Sequence, residues 1–437
     1  MREWTVGIVL LSLLLGAVPA FSQPASPAPA EAPRAAQPAF DPEAATEAWL
    51  SRLTPEQRER SDAYFEGGYW LMLWDLLYTL AVAGLLLGTG FSARLRDLAE
   101  RRTRFRFLRL LFYGMAFLVL TELLTFPLTV YEDFFREHQY GMATQDFGGW
   151  LRDFLVGLAL SAVFGGLAIA GLYTILRQTP RTWWIWGTAA TLVFLVIGML
   201  VAPVFIAPLF NTYTELEDPA LRAPILSMAR ANGIPAEHVY VVDASRQTNR
   251  VSANVSGLGA TLRISLNDNL LKRASPAGVE AVMGHEMGHY VLGHTYEGLI
   301  YMSLVFLVGF AFLNWAFGRV AGRGGGRWGI RGVDDVAGLP LMVALLSVYF
   351  LLASPVMNTI IRTNESEADL FGLNAARQPD GFAEVALMLS DYRKISPGPL
   401  EEWLFFDHPS GRTRILMAMR WKAEQMGESG AVRQPQP

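Results

Sequence analysis

Ser275-Pro276-Ala277-Gly278-Val279-Glu280-Ala281-Val282-Met283-Gly284-His285-Glu286-Met287-Gly288-His289-Tyr290-Val291 is the stretch on which the reading of this chain turns. Ser275 followed by Pro276 is a helix start, and a helix from about Ala277 through Val291 places His285 and His289 one turn apart on the same face. Two imidazoles so placed are a ready pair of zinc ligands. Glu286 between them stands beside where a water on the metal would lie, so one short segment supplies two ligands and a general base. That chemistry is hydrolysis, in the first instance of peptide bonds. A bare H-E-x-x-H also arises on ordinary polar helix faces, so the surroundings decide.

Around this helix, Pro219 to Asn232 has helical periodicity ended by Gly233. His238 to Val242 reads as a strand, and Leu262 to Leu266 alternates apolar and polar as a second. The helix itself is too polar to span a bilayer. The chain as a whole is not: its 437 residues are 52% hydrophobic and 17% charged, with a positive mean hydropathy, the composition of an integral membrane protein. A net charge of -4 gives no polybasic surface for nucleic acid. With no cysteine, disulfides and thiolate ligands are excluded, and a metal must be held by histidine and carboxylate. Three of the six histidines, His285, His289 and His294, crowd into ten residues.

Six apolar segments have the length of bilayer-spanning helices: about Tyr69 to Phe91, Leu108 to Val130, Phe154 to Leu176, Trp183 to Ile206, Gly298 to Phe317 and Leu339 to Ile361. Arginines crowd the connections after the first (Arg94, Arg96, Arg101, Arg102, Arg104, Arg106), third (Arg177, Arg181) and fifth (Arg319, Arg323, Arg327, Arg331), which the positive-inside rule makes cytoplasmic. The zinc helix then faces the other side, the periplasm for a bacterial inner membrane. Upstream, Met1-Arg2, an apolar run from Trp4 to Leu15 and Val18-Pro19-Ala20 read as a signal peptide cut after Ala20, or else an uncleaved seventh span, and a Pro/Ala-rich linker follows. The expected organisation is a signal peptide or first span (1–20), linker and N-terminal segment (21–68), four spans (69–209), the metalloprotease region (210–297), two spans (298–361), a C-terminal catalytic segment (362–425) and a disordered tail (426–437).

A catalytic zinc site needs a third protein ligand and an open position. Beyond the last span, Glu365 and Asp369 lie four apart on one helical face. Glu365 is placed to ligate zinc and Asp369 to hydrogen-bond a ligand histidine, unless the two are only a solvated acidic face. His294 is better suited to support or packing, since a fourth protein ligand would close the water position. Asp75 and Glu122 lie within apolar spans, where they line a polar chamber or pair within the bundle.

The chain resembles the type I CAAX prenyl endopeptidases, as a bacterial member. The resemblance rests on Tyr131-Glu132-Asp133-Phe134 with Gly141, Ala207-Pro208-Leu209-Phe210, Arg263-Ile264 with Asp268-Asn269-Leu270-Leu271, Gly284 to His289 with Leu292-Gly293-His294, the R-x-x-E-x-x-A-D run of Arg362, Glu365, Ala368 and Asp369, and Trp403-Leu404-Phe405 with His408-Pro409 and Arg414. It implies a helical barrel of six or seven spans enclosing a chamber, joined to a zincin-like domain with a small sheet. It implies one zinc ion on His285, His289 and Glu365, with Glu286 as base. His408 and Arg414 would line the site as donors to the developing oxyanion, and Arg362, Asp369 and His294 would stand behind the ligands. The expected partners are the lipid bilayer and a polypeptide substrate, prenylated or otherwise membrane-associated. Ile361 stands where the family commonly has serine, and Val251-Ser252-Ala253 where its substrate strand carries S-N-A. The family's eukaryotic members face the cytosol, whereas the arginine loops here argue for the opposite face. A membrane chaperone or scaffold holding zinc for stability alone is the rival class, although it has no use for Glu286. A transporter would leave both zinc motifs unexplained.

Overall fold

A computed structural model describes residues 40–257 and 262–432. The proposed signal peptide lies outside the described residues. The chain opens with α1 (Pro42–Leu50), α2 (Pro55–Gly88), α3 (Phe91–Arg102), α4 (Arg106–Gln139), α5 (Phe147–Gln178) and α6 (Trp183–Leu209). The polar region follows with β1 (Tyr213–Glu215), α7 (Pro219–Ala231), β2 (Val239–Val242), β3 (Ala253–Ser256), β4 (Arg263–Asn267), α8 (Asp268–Arg273) and α9 (Pro276–Val291). Two long helices, α10 (His294–Trp328) and α11 (Leu339–Ala376), precede α12 (Pro379–Met388), α13 (Pro399–Phe405) and α14 (Gly411–Val432).

Among the described residues, six helices are long and apolar enough to cross a membrane: α2, α4, α5, α6, α10 and α11. They are the six segments expected from hydropathy, but several run on into polar sequence. α2 begins at Pro55 rather than near Tyr69, because Thr54 and Gln57 form a reciprocal capping box that starts the helix in water. α11 continues past Ile361 to Ala376 as one rod through Pro355. The Pro/Ala-rich linker lies almost wholly outside the described residues; the N-terminal segment after it forms α1 and the start of α2, and α14 extends to Val432, into the expected tail.

The three arginine-rich connections meet at one end of the bundle. Arg96 donates to Asp335 at 2.5 Å and to the Gly329 carbonyl at 2.9 Å, and Arg331 pairs with Asp97 at 3.0 Å and Glu100 at 2.8 Å. Arg177 donates to the carbonyl of Asp334 at 3.1 Å. Beside them lies the bundle core, with Tyr113, Tyr173, Leu176, Trp183, Phe317 and Met342 buried.

The polar region has its own core and a four-stranded sheet of order β1-β2-β4-β3. β2 and β4 run parallel, and β3 pairs antiparallel with β4, Ala253 opposite Leu266 and Val255 opposite Ile264. Ile225, Val239, Ile264, Leu266, Leu270, Met283 and Met287 are fully buried, each contributing roughly 1.5–3 kcal/mol of burial. β3 is an edge strand, with its outer side open to a further strand. The chain just before it is tied down by Asn267, whose Nδ2 donates to the Arg250 carbonyl at 2.7 Å, and by Asn269, which donates to the Thr248 carbonyl at 2.6 Å.

α9 lies directly on α11, and small residues set the distance. A Cβ on Gly372 would come 2.7 Å from the backbone nitrogen of His285, and one on Gly288 would come 3.1 Å from Cα of Ala368. A side chain at Gly372 would collide with that backbone and one at Gly288 would be tight, so the backbone carrying the two histidines sits hard against the helix carrying Glu365 and Asp369. Gly293, at φ 75°, then breaks α9 from α10 and turns the chain into the membrane. Between α2, α4 and α11 is a cavity of about 420 Å³ lined by Asp75, Tyr78, Glu122 and Thr125. Asp75 and Glu122 thus face one chamber, and neither forms an ion pair among the described residues.

Candidate functional site

The close approach of α9 and α11 brings His285, His289 and Glu365 together, although 76 residues separate His289 from Glu365 in the chain. Nε2 of His285 is 3.1 Å from Nε2 of His289 and 3.3 Å from Oε2 of Glu365; Nε2 of His289 is 3.4 Å from Oε1 of Glu365. The two imidazoles thus meet different oxygens of one carboxylate, and one ligand atom from each residue lies within 4.8 Å of the others, within reach of a single zinc ion. Oε2 of Glu365 is also buried with no hydrogen-bond partner, a costly arrangement that a cation relieves. The residues present fit a zinc ion.

Each histidine is backed so that Nε2 is left for a metal. Asp369, fully buried, places Oδ1 2.7 Å from Nδ1 of His285, with the ring turned off a straight hydrogen-bond line. Nδ1 of His289 meets Nδ1 of His294 at 2.9 Å, and Nε2 of His294 meets Glu367 at 3.3 Å. Burial works to lower the His285 pKa, but the carboxylates of Asp369 and Glu365 against its two ring nitrogens prevail and raise it to about 10. Glu286 lines the adjoining cleft with no hydrogen bond or ion pair among the described residues. Burial pushes its carboxyl above the usual range, against the pull of His285 and His289.

The cleft, about 220 Å³, is bounded on one side by Val251, Ser252 and Ala253 leading into the edge strand and on another by Phe382, Val385 and Leu389. His408 closes it, with Nε2 3.2 Å from Oε2 of Glu365 and Nδ1 2.8 Å from Oδ1 of Asp407. On the opposite side of Glu365 a mainly apolar cavity of about 310 Å³ opens between α10 and α11, lined by Tyr301, Met302, Val305, Met357 and Ile360.

Two arginines stand differently from expectation. Arg414 does not offer its whole fork to the cleft: Nε and Nη2 clamp Asp369 at 2.8 and 2.5 Å, which braces the carboxylate behind His285. Arg362 touches neither ligand histidine. It donates to the carbonyls of Glu402 at 3.0 Å and Phe406 at 2.5 Å, with Asn358 holding that of Leu404 at 2.8 Å. These bonds fix the backbone that carries His408. Asp407 was not singled out from sequence, and its place directly before His408 was the signal that pointed to it. His138 packs on Phe134, and His238 pairs with Glu215 at the surface.

Residues 215–422 match peptidase family M48, and residues 42–212 match the family described as CAAX prenyl protease N-terminal, five membrane helices. The chain is 30% identical to the metalloprotease YhfN of Bacillus subtilis over 79% of its own length and 80% of the relative's. It is 28% identical to CAAX prenyl protease 1 of Saccharomyces cerevisiae, over 68% of this chain and 69% of that one. Its fold is similar to the crystal structure of S. mikatae Ste24p, with a TM-score of 0.69, 21% identity, and coverage of 86% of this chain and 95% of that one. The chain, with its spans and its His-His-Glu group, belongs to the CAAX prenyl protease and M48 family, and is an integral membrane metalloprotease.

Proposed function

We propose that this protein is a zinc endopeptidase of membrane-associated polypeptides, acting at the end of the bundle away from the arginine loops. The observation that carries the zinc assignment is the convergence of His285, His289 and Glu365, with one ligand atom from each within 4.8 Å of the others. Zinc, when bound, supplies a Lewis acid that polarises a carbonyl and makes water a better nucleophile at neutral pH. Glu286, free and in the cleft, takes the proton from the attacking water and passes it to the leaving amine. His408, oriented by the contact of its Nδ1 with Asp407, lines the cleft as the donor to the carbonyl oxygen as negative charge develops. Arg414 and Asp369 hold His285, while Glu367 and His294 hold His289. The substrate backbone pairs with the open edge of β3 as an added strand.

The apolar cavity beside Glu365 supports a substrate that arrives from the bilayer, through a membrane segment or a lipid chain. Yeast CAAX prenyl protease 1 is named for a prenylated class, and a prenylated peptide is one arm of the test. The arginine connections, bonded together at one end, support a cytoplasmic location for that end and a periplasmic active site in a bacterial inner membrane. Single cysteines introduced into this cysteine-free chain between residues 211 and 297 test the sidedness. Labelling by an impermeant maleimide in intact spheroplasts is expected; labelling only after lysis puts the site in the cytosol. Purified protein should cleave membrane-derived peptides, stop on chelation and recover with zinc. Chelator-insensitive cleavage would overturn the zinc reading.

A further inference from the structure

Two arginines line the cleft, and their charges are met differently. Arg414 is clamped by Asp369, Arg250 pairs with Glu137 at 2.7 Å, Arg273 pairs with Asp391, and Lys394 reaches Glu66 at 2.6 Å and Glu401 at 2.9 Å. Arg393 lines the cleft and has no carboxylate within ion-pair distance among the described residues. Its Nη2 lies 3.5 Å from Nε2 of His408, at the outer limit of a hydrogen bond that only the arginine can donate. Asp407 is close enough to feel its charge, but is engaged on Nδ1 of His408. A guanidinium half-buried in a cleft, with no carboxylate in direct contact, has its fork open to a bound anion. The planar fork is the group that recognises a carboxylate with two hydrogen bonds.

We propose that Arg393 forms a specificity subsite for a substrate carboxylate. This rests on the protease reading above, because it makes the anion part of a peptide lying along β3. Nη2 is within 3.5 Å of the ring that faces the scissile carbonyl in that reading. Since an extended strand advances about 3.3 Å per residue, the carboxylate belongs within a few residues of the cleaved bond. Two sources meet that chemistry: the α-carboxylate of a short C-terminal leaving peptide, and the side chain of an Asp or Glu near the cut. Arg393 acts here as a binding residue, separate from the proton transfers assigned to Glu286.

The test uses the full-length protein in detergent carrying Glu286→Gln, so that peptides bind without turnover. Fluorescein-labelled octapeptides of one apolar sequence are compared by anisotropy: with a free C-terminal carboxylate, with a C-terminal amide, and amidated with one glutamate placed at each position in turn. A carboxylate in the favoured place should bind roughly tenfold or more tighter than the plain amide. Adding Arg393→Gln should abolish that gap while leaving the plain amide unchanged, and Arg393→Lys should keep part of it. A gain in the free-carboxylate arm identifies a C-terminal subsite; a gain in one glutamate arm identifies a side-chain subsite. Absence of any gap, or an equal loss for every peptide on Arg393→Gln, overturns the proposal and makes Arg393 a buttress of His408. Cleavage of the same peptides by the zinc-loaded wild type reads the enzyme assignment separately. A gap without cleavage keeps the subsite and removes the protease reading, whereas cleavage without a gap does the reverse.

Discussion

Two buried arginine–aspartate pairs sit at different places in this molecule. Arg96 and Asp335 lock the arginine-rich connections together, and Arg414 and Asp369 stand behind the metal ligands. Both pairs are almost wholly removed from solvent, so both carry a heavy desolvation cost. They differ in where the hydrogen bonding ends. Asp335 also accepts the backbone N–H of Arg331 at 2.9 Å and of Ala337 at 3.1 Å, and Arg96 finishes on a carbonyl and on Asp97, so the network is closed by the chain alone. Asp369 instead hands on to His285, and the path ends at Oε2 of Glu365, buried without a hydrogen-bond partner. A closed network is a structural lock, while one that ends on a carboxylate surrounded by imidazole nitrogens has the donor set of a metal site.

The open end is probed hardest by Glu286→Gln, which keeps the shape of the side chain and removes the base. Hydrolysis should fall by about a thousandfold, with zinc content unchanged by metal analysis after dialysis. Wild-type turnover would take the base away from Glu286. Next come the matched variants Asp369→Asn and Asp335→Asn. Asp369→Asn leaves Arg414 buried without its counter-ion and should lower stability by about 3–5 kcal/mol in detergent unfolding, whereas Arg96 keeps Asp97 at 2.9 Å after Asp335→Asn and the loss should be smaller. Only Asp369→Asn should also weaken zinc binding, by roughly 10–100-fold. Equal zinc affinity in the two variants would erase the distinction between lock and metal support.

The open network was partly legible in the chain. His285 with His289, and Glu365 with Asp369, are each four apart, and a helix turns any such pair onto one face. The start of α9 was legible too, since the Ser275 side chain accepts from Gly278 N–H at 3.1 Å. What spacing does not carry is the partner across the fold. Arg362 and Arg414 look alike in the sequence as cations of the C-terminal motifs, yet one grips backbone carbonyls around Phe406 and the other grips Asp369. Their choice depends on how α13 and α14 pack against α11, a tertiary outcome. β1 and β3 have three and four residues, too few for periodicity to register, and β3 is defined by its pairing with β4. The spans were visible by length and hydropathy, but their ends were not, because capping and tertiary contacts carry helices well past the apolar run.

The two networks should also differ with pH. In the metal-free protein the His285 pKa is raised from its ordinary 6.5 to about 10. The stability from its imidazolium is therefore complete below about 6.5 and is lost as the pH rises through 10. Zinc must displace that proton, so its affinity should climb by about tenfold per pH unit over the neutral range. Competition with a chromophoric chelator at pH 6, 7 and 8 measures this slope, and Asp335→Asn should leave it intact. A flat profile would mean that His285 is already neutral beside Asp369.

The smallest effect expected is at Glu367. It occupies the same place behind His289, through His294, that Asp369 occupies behind His285, but its side chain is 55% exposed against 0% for Asp369. Water can take over its hydrogen bond to His294 when Glu367→Gln removes the charge, and an exposed pair is screened. Zinc affinity should fall by no more than about threefold, against the roughly 10–100-fold loss for Asp369→Asn. The same chelator competition decides it. A loss as large as that of Asp369→Asn would show that burial is not what separates the two supporting carboxylates, and that the orientation of His289 depends on a charge reaching it through a second imidazole.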